Sequence, residues 1–231
     1  MRDSKKYLLV GASSGVGAAL LNILLADQHQ VVTASRRNVA ESATHVSLDV
    51  TNEELDVSQL PNSLDGLAYC PGSINLKPFH RITDQEFIEE FNLNVMGAIK
   101  VVRSVLPLLK NSNHASIVFF STIAVQQGMP FHASVASAKG ALEGLTRSLA
   151  AEFAPKIRVN CIAPSLTNTP LAARLLSSDE KKKVSDERHP LKRVGEAGDI
   201  AQLASFLLSP KSSWITGQII HSDGGLSALR T

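Results

Sequence analysis

Three glycines near the N-terminus have a spacing that suits phosphate binding. They stand in the segment Gly11-Ala12-Ser13-Ser14-Gly15-Val16-Gly17, which follows the apolar run Tyr7-Leu8-Leu9-Val10 and precedes the apolar positions Leu20, Leu21, Leu24 and Leu25. This pattern predicts a strand, a glycine turn and a helix. Glycines let the backbone approach a pyrophosphate closely, and the free N–H groups at a helix start donate to it. The segment therefore predicts a nucleotide site, with an ordinary tight turn before a helix as the alternative.

The end of the second predicted strand indicates which nucleotide would fit. The run Val31-Val32-Thr33-Ala34 is followed by Ser35, Arg36 and Arg37, with no acidic side chain among them. An acidic residue there would accept hydrogen bonds from a ribose 2′-hydroxyl, whereas arginine pairs with a 2′-phosphate through forked, charge-assisted bonds. The sequence therefore favours NADP(H) over NAD(H). The alternative is that Arg36 or Arg37 is a solvated turn residue.

Strand-like runs recur along the whole chain and would position these loops. They are Lys6–Val10, Gln30–Ala34, Thr44–Leu48, Gly66–Cys70, Ala115–Phe120, Ile157–Ile162 and Gln218–His221. Helical patterns separate most of them, and this alternation predicts a doubly wound parallel sheet with helices on both faces. The longest predicted helices run from Asp84 to about Leu109, after the capping box at Thr83, and from Ala133 to about Phe153.

Two connections depart from this alternation. Only about six residues separate Arg37 from the third strand, which is fewer than a helical crossover needs. We therefore expect the crossover helix between the second and third strands to be shortened or absent. The long polar insertion at about 170–190 is the candidate lid of a single domain that covers residues 1–231.

Composition and charge exclude several classes of protein. The chain has 231 residues, 44% of them hydrophobic, and its net charge of +2 lacks the single-signed field of most nucleic-acid-binding proteins. Cys70 and Cys161 lie in apolar runs, which favours buried reduced thiols over a disulfide or a metal site. No run approaches the about 18 apolar residues of a membrane span, and no signal-peptide pattern is visible. We expect a cytoplasmic protein with no metal, no nucleic-acid partner and no membrane partner.

Further motifs along the chain resemble one family from end to end. Beside the glycine loop they are Asp49-Val50, Asn94-Val95-Met96-Gly97, Ser121-Thr122, Ala138-Lys139-Gly140-Ala141-Leu142, Arg158-Val159-Asn160-Cys161-Ile162-Ala163-Pro164, Asp199-Ile200-Ala201 and Thr216-Gly217-Gln218 with Asp223-Gly224-Gly225. In this order and spacing the set resembles the short-chain dehydrogenase/reductase family. The resemblance implies a Rossmann-like fold of about seven parallel strands and a nicotinamide cofactor.

The resemblance also implies cofactor contacts at the matching positions. Asp49 and Val50 would contact the adenine, and Thr169, after the turn Pro164-Ser165, would face the nicotinamide amide. Ser165 replaces the usual glycine of that turn, and in Tyr69-Cys70-Pro71-Gly72 only Gly72 matches the family. The residues that would hold the phosphates and the adenosine ribose are Gly11, Ser13, Ser14, Gly15, Val16 and Gly17.

The catalytic positions of the family match only in part. Lys139 matches the lysine that holds the nicotinamide ribose and lowers the pKa of a tyrosine four residues before it, but here that position is Val135. Thr122 stands in the place of the catalytic serine, with a merely structural threonine as the alternative. Asn94 would anchor a water chain that relays protons to Lys139, and it could also satisfy buried backbone groups at a helix kink. Valine cannot deliver a proton, and positioned acid–base groups contribute roughly 10²–10⁴-fold in rate.

His132 is the candidate replacement for the missing proton donor. It lies seven residues before Lys139, so helical spacing predicts that His132, Val135 and Lys139 share one face. In a divergent branch that this stretch resembles, the enoyl-acyl carrier protein reductases, a tyrosine stands at this position. An imidazole can donate a proton near neutral pH. The alternative is a histidine at a helix start with no part in catalysis.

The resemblance implies an NADP(H)-dependent oxidoreductase that reduces a carbonyl or an activated alkene. Leu171, Leu175, Leu176 and Phe131 suggest an apolar pocket for a small-molecule substrate. The family also implies a homodimer or homotetramer. A second hypothesis, from another functional class, is a catalytically silent nucleotide-binding protein that senses redox state or acts in assembly.

Overall fold

Seven parallel strands form the central sheet of the structure, a computed structural model that describes residues 4–38 and 43–230. In chain order the strands are β1 (Lys6–Val10), β2 (Gln30–Ser35), β3 (Thr44–Ser47), β4 (Gly66–Tyr69), β5 (Ala115–Phe120), β6 (Ile157–Pro164), β7 (Thr167–Asn168), β8 (Gly195–Glu196) and β9 (Ile219–Ser222). The central order is β3-β2-β1-β4-β5-β6-β9, and β7 pairs with β8 in a separate two-stranded sheet. The sheet order reverses direction between β1 and β4, which is where open α/β sheets bind ligands.

Helices cover both faces of this sheet. They are α1 (Gly15–Ala26), α2 (Asp84–Phe91), α3 (Gly97–Lys110), α4 (Ala124–Gln127), α5 (Ala133–Phe153), α6 (Asp179–Arg188) and α7 (Ala197–Leu208). Short 3₁₀ turns lie at Val57–Gln59, Phe79–Arg81, Pro170–Ala172 and Pro210–Ser212. A π-helical turn, Asn92–Met96, joins α2 to α3.

The predicted strands and long helices are confirmed, and their bounds differ by one or two residues at most. The capping box is present, because Thr83 accepts from the backbone N–H of Glu86 while the Glu86 side chain accepts from that of Thr83. The helix predicted from Asp84 is continuous but contains the π turn. In the β2–β3 link, residues 39–42 lie outside the described residues, so the prediction of a shortened crossover stays a prediction.

The apolar core lies in two layers, one on each face of the sheet. On one face α3 and α5 pack buried side chains such as Val101, Val105 and Leu142 against β1, β4 and β5. On the other face α1 and α7 contribute residues such as Leu20 and Leu207. Strands covered on both faces read as continuous apolar runs, which explains why they were visible in the sequence.

One helical stretch passes a length and composition test for a membrane span, contrary to the sequence prediction. The segment Asp84–Lys110 has 27 residues and a window of mean hydropathy 1.2, and 44% of that window is buried inside the fold. Its inward side chains, including Val101, Val102 and Leu109, belong to the core. The apolar composition of this helix is therefore accounted for by its packing against the sheet.

Candidate active site

The loop between β1 and α1 forms a cradle whose glycine positions disfavour side chains. Gly11 and Gly15 have positive φ angles of 81° and 55°. A Cβ on Gly17 would lie 2.4 Å from the carbonyl oxygen of Gly11. Ser14 caps α1 without a side-chain hydrogen bond, so the first amide groups of the helix have no side-chain cap. The loop therefore offers backbone donors and space to an anionic group, as a pyrophosphate requires.

The residues predicted to contact the adenosine part of the cofactor lie beside this loop, at the ends of β2 and β3. Arg36 and Arg37 are exposed, and the Ser35 hydroxyl donates to the carbonyl oxygen of Arg37 at 2.8 Å. Hydrogen bonds from Thr51 hold the pKa of Asp49 below its usual range, and the nearby positive charge of Arg36 adds to that shift. The carboxylate of Asp49 is thus negatively charged next to Arg36.

A cavity of about 770 Å³ opens at the carboxyl ends of β4, β5 and β6. Its lining includes Val16 from the glycine loop and Thr169, and the Thr169 side chain lies 3.4 Å from the position of a Cβ on Gly15. The cavity wall is mostly apolar and extends to Leu171 and Leu175 in the predicted lid. The predicted site residues in its lining also include Gly72, Thr122, His132, Val135, Lys139 and Pro164.

Lys139 is buried at the centre of this wall. Its Nζ atom donates to the carbonyl oxygen of Phe120, at the end of β5, over 2.8 Å. Burial lowers the pKa of Lys139 to about 8, and the carboxylate of Glu90 opposes part of that shift. The ammonium group is therefore charged near neutral pH but loses its proton under mildly alkaline conditions.

Asn94 lies in the π turn, next to a buried carboxylate that sequence reasoning missed. Its Nδ2 atom donates to the backbone oxygen of Glu90 at 2.8 Å and to the Glu90 carboxylate at 3.0 Å. The Ser73 hydroxyl donates to the same carboxylate at 2.5 Å. Asn94 Oδ1 is buried and has no hydrogen-bond partner among the described residues. A Cβ on Gly72 would lie 3.3 Å from Lys139 Nζ and 3.5 Å from this Oδ1 atom, so both atoms border the same space.

Thr122 and Val135 also line the cavity. The Thr122 hydroxyl accepts from the backbone N–H of Ala124 at 3.3 Å, which leaves its hydrogen free to donate. Val135 is 6% exposed and offers only methyl groups. Of the two tyrosines of the chain, both within the described residues, Tyr7 and Tyr69 are buried in the core and neither lines the cavity.

His132 occupies the N-cap position of α5, one residue before the helix begins, and its side chain makes no capping hydrogen bond. Phe131, the residue before it, has a positive φ of 70°, a conformation that costs a non-glycine residue energy and is common at functional sites. The His132 Nδ1 atom lies 2.7 Å from the carbonyl oxygen of Pro130. A carbonyl oxygen can only accept, so Nδ1 carries a hydrogen and Nε2 is the nitrogen that could exchange a proton with a ligand.

His189, which sequence reasoning did not single out, is buried in the cavity wall and contacts Ser165. Its signal in the sequence was a histidine at the end of the polar insertion.

Burial raises the pKa of the Cys70 and Cys161 thiols to about 12, so both are protonated. Among residues 4–38 and 43–230, no group of three or more His, Cys, Asp or Glu side chains could hold a metal ion.

Comparison with known proteins links this geometry to a large group of oxidoreductases. Residues 11–227 match the family described as enoyl-(acyl carrier protein) reductase. A tropinone reductase homolog of Arabidopsis thaliana is 36% identical over 95% of this chain and 92% of its own length. L-xylulose reductase of Bos taurus is 30% identical over 97% of both chains.

Solved structures have the same fold. Ligand-free aldohexose dehydrogenase of Thermoplasma acidophilum superposes with a TM-score of 0.91 at 26% identity, over 99% of this chain and 97% of that one. ElxO with NADP bound gives a TM-score of 0.89 at 26% identity, over 98% and 100%. A 3-ketoacyl-(acyl-carrier-protein) reductase of Brucella melitensis, complexed with NADH, gives 0.86 at 25% identity over 97% and 99%. Proteins of this shape thus hold either nicotinamide cofactor.

Proposed function

The chain belongs to the short-chain dehydrogenase/reductase family of oxidoreductases, and from this premise we propose that it uses NADP(H) to reduce a carbonyl or an activated alkene of an apolar small molecule. The observation that carries the proposal is the position of Lys139. Its ammonium group lies in the wall of a cavity that begins at the glycine cradle and ends in apolar side chains. A cofactor lying along this path would bring its reactive ring beside Lys139.

The glycine loop together with the residues at the ends of β2 and β3 (11–17, 35–37 and 49–50) forms the glycine half of the site. These residues fit a dinucleotide. The pyrophosphate would bind the backbone of Gly11–Gly17 at the start of α1, and Arg36 and Arg37 would pair with the 2′-phosphate. Asp49 and Val50 would border the adenine, while Pro164 and Thr169 would border the nicotinamide. When bound, NADP(H) supplies a hydride to the substrate.

The side chains around Lys139 in the cavity wall form the reaction half of the site. They would orient the substrate and donate the proton. Thr122 would donate its hydroxyl hydrogen to the substrate oxygen, and the Lys139 ammonium group would hold the ribose of the cofactor. Lys139 and Asn94 Oδ1 border a common space, where a water would satisfy the unpartnered Oδ1 atom and connect the two groups. His132, when protonated, presents Nε2–H to the cavity and is the proposed proton donor.

Val135 supports a second candidate function. A buried valine stands in the cavity, four residues before Lys139, where the family has its catalytic tyrosine. A protein that retains the glycine cradle but has lost the proton donor would bind the nucleotide without turnover. This silent nucleotide-binding protein would act as a redox sensor or assembly partner.

The test combines a cofactor titration with a turnover assay. The full chain should bind NADPH more tightly than NADH in a fluorescence titration, and it should oxidise NADPH in the presence of some carbonyl or enoyl compounds of a panel. Val135→Tyr should raise ketone reduction, because it restores a donor. Tight NADPH binding without turnover by the wild type or by Val135→Tyr would support a nucleotide-binding protein that does not catalyse a reaction. No binding of either cofactor would contradict both functions.

We also propose that the chain forms a homo-oligomer through α2 and α5. Ile88 and Phe91 on α2 are 51% and 43% exposed, and they border a groove of about 350 Å³ against α5. The buried Ser134 hydroxyl in that groove has no hydrogen-bond partner among the described residues. Light scattering should give a dimer or tetramer mass, and Ile88→Asp should shift the protein toward monomer. A monomeric wild type would contradict this.

A further inference from the structure

His189 and Ser165 form a hydrogen-bonded pair in the cavity wall. Ser165 directly follows β6, and His189 directly follows α6, so the pair joins the edge of the sheet to the candidate lid. The Ser165 Oγ and His189 Nε2 atoms are 2.9 Å apart. His189 is only 2% exposed, and both residues line the cavity. A polar pair is thus built into a wall that is mostly apolar.

The other ring nitrogen fixes the direction of this hydrogen bond. His189 Nδ1 lies 2.7 Å from the carbonyl oxygen of Ser185, one turn earlier in α6. A carbonyl oxygen only accepts, so Nδ1 carries a hydrogen. In the neutral imidazole Nε2 is then an acceptor, and the Ser165 hydroxyl must donate to it. In this state Ser165 Oγ offers only its lone pairs to the cavity.

Protonation of His189 reverses the pair. Nε2 then carries a hydrogen and donates to Ser165 Oγ, so the serine hydrogen is released and can turn toward the cavity. Ser165 changes from a hydrogen-bond acceptor to a donor without any movement of the backbone. Within the described residues His189 is the one hydrogen-bond partner of Ser165 Oγ, so no other side chain competes for this capacity.

We propose that Ser165 and His189 bind an oxygen of the substrate, as an acceptor for a hydroxyl group when His189 is neutral and as a donor to a carbonyl group when it is protonated. This assignment rests on the proposed function, because it takes the cavity as the substrate site. It narrows the substrate class to apolar compounds with a hydroxyl or keto group against this wall. Ile123 N–H donates to the Pro164 carbonyl oxygen at 3.1 Å, so Thr122 and Ser165 lie at the ends of adjacent, bonded strands. A substrate oxygen between these strand ends would meet both hydroxyls.

Other charged and titratable groups lie near the pair. Their effects on binding must be distinguished from that of His189. The cavity is also lined by His132, Lys139, Glu180, Lys181 and Arg188, while Asp186 and Lys192 flank His189 along the chain, and Asp223 and His221 lie in or next to the C-terminal turn that packs against it. Histidines change charge between about pH 5 and 8. Lys139, with a pKa of about 8, begins to lose its charge at the upper end of this range. The test therefore needs a variant that removes only the Ser165 hydroxyl.

The experiment measures the binding of 2-decanol and 2-decanone to the full chain without cofactor, so that no turnover occurs. As the pH is lowered until the histidine ¹⁵N resonances report a protonated His189, the ratio of alcohol affinity to ketone affinity should fall by at least about fivefold, the size of one neutral hydrogen bond. Ser165→Ala should remove this pH dependence while it keeps His132 and Lys139. Ser104→Ala is the matched control, because its hydroxyl donates to a helix carbonyl oxygen away from the cavity, and it should behave as the wild type.

Nuclear magnetic resonance of ¹⁵N-labelled histidine side chains gives an independent readout. Neutral His189 should carry its hydrogen on Nδ1, and Ser165→Ala should change the Nε2 resonance. A hydrogen on Nε2, a wild-type ratio that does not depend on pH, an unchanged dependence in Ser165→Ala, or failure of both probes to bind at millimolar concentration would each overturn the proposal. Absence of NADPH-dependent turnover with the ratio intact would contradict the proposed function alone.

Discussion

The glycine half of the site and the reaction half are built in different ways. In the glycine half, which is the proposed cofactor-binding half, the backbone would supply the contacts, and a Cβ on Gly17 would lie 2.4 Å from the Gly11 carbonyl oxygen, so the loop would have to shift to admit it. In the proposed reaction half the side chains come from separate elements, with Asn94 in the π turn, Lys139 in α5 and His189 after α6. Such a backbone site needs glycine where the φ angle is positive or a Cβ would clash. A side-chain site can accept a different donor from a different element, so chemistry can change there while cofactor binding persists.

The reaction half should show the largest effect if His132 is its proton donor. His132→Ala should lower reductive turnover by roughly 10²–10⁴-fold while NADPH affinity is unchanged, because the variant removes acid catalysis but not the cradle. The wild-type rate should fall as rising pH removes the proton from the donor, and the variant should lose that dependence. Steady-state kinetics across pH measures both. His80→Ala is the control, since His80 is exposed on the turn Phe79–Arg81.

Full turnover in His132→Ala would transfer the donor role to Thr122 or to a water near Asn94. The reaction half would then use a different proton donor, while the glycine half would be unaffected.

The glycine half should respond to one added methyl group. Gly17→Ala should weaken NADPH binding by about ten- to a hundredfold, because overpacking costs about 1–3 kcal/mol and the loop must shift. Gly144→Ala is the matched control, because no atom lies within 4 Å of the position of its Cβ, and it should leave affinity unchanged. Fluorescence titration of both variants measures the difference. Equal affinity of Gly17→Ala and wild type would show that the cradle does not hold the cofactor.

The two arginines should set cofactor preference with a smaller effect. Arg36→Ala/Arg37→Ala should weaken NADPH binding by about tenfold, the size of one charge-assisted hydrogen bond, and leave NADH binding unchanged. Arg103→Ala, an exposed arginine on α3, serves as the control. Titration with both cofactors gives the ratio. Parallel loss for NADPH and NADH would refute recognition of the 2′-phosphate.

The smallest expected effect is on stability, through the pH dependence that Lys139 gives to the melting temperature. Its pKa of about 8 in the fold lies below the unfolded value of 10.5, so the unfolded chain binds more protons between these values. Stability contributed at this site therefore rises with pH through that window. Relative to Lys139→Met, the wild type should gain about 5 °C in Tm between about pH 7 and about pH 10. Lys110→Met, at an exposed position, should show no such trend in thermal scans.

Sequence patterns predicted the parts of the molecule that local rules determine. The strands, the capping box at Thr83 and the helix that begins at Ala133 follow from apolar runs and end signals along a few neighbouring residues. The glycine loop could be recognised because its geometry favours glycine at fixed positions. The Glu90 and His189 contacts could not be predicted, because they depend on the tertiary placement of residues that resemble ordinary charged or polar surface positions. The π turn also escaped, since its residues fit an α-helical pattern equally well.

The π turn at Asn92–Met96 makes the length of this helix a fixed quantity. Each residue of an α-helix rotates the chain by about 100°, so deleting one residue from the turn would rotate α3 against α2 by that angle. The buried side of α3, with Val101 and Val105, would then turn away from the sheet, or Glu90 and Asn94 would turn away from Lys139. Substitutions can therefore accumulate in this segment, whereas single-residue insertions and deletions cannot. Alignments of related chains should place their gaps elsewhere.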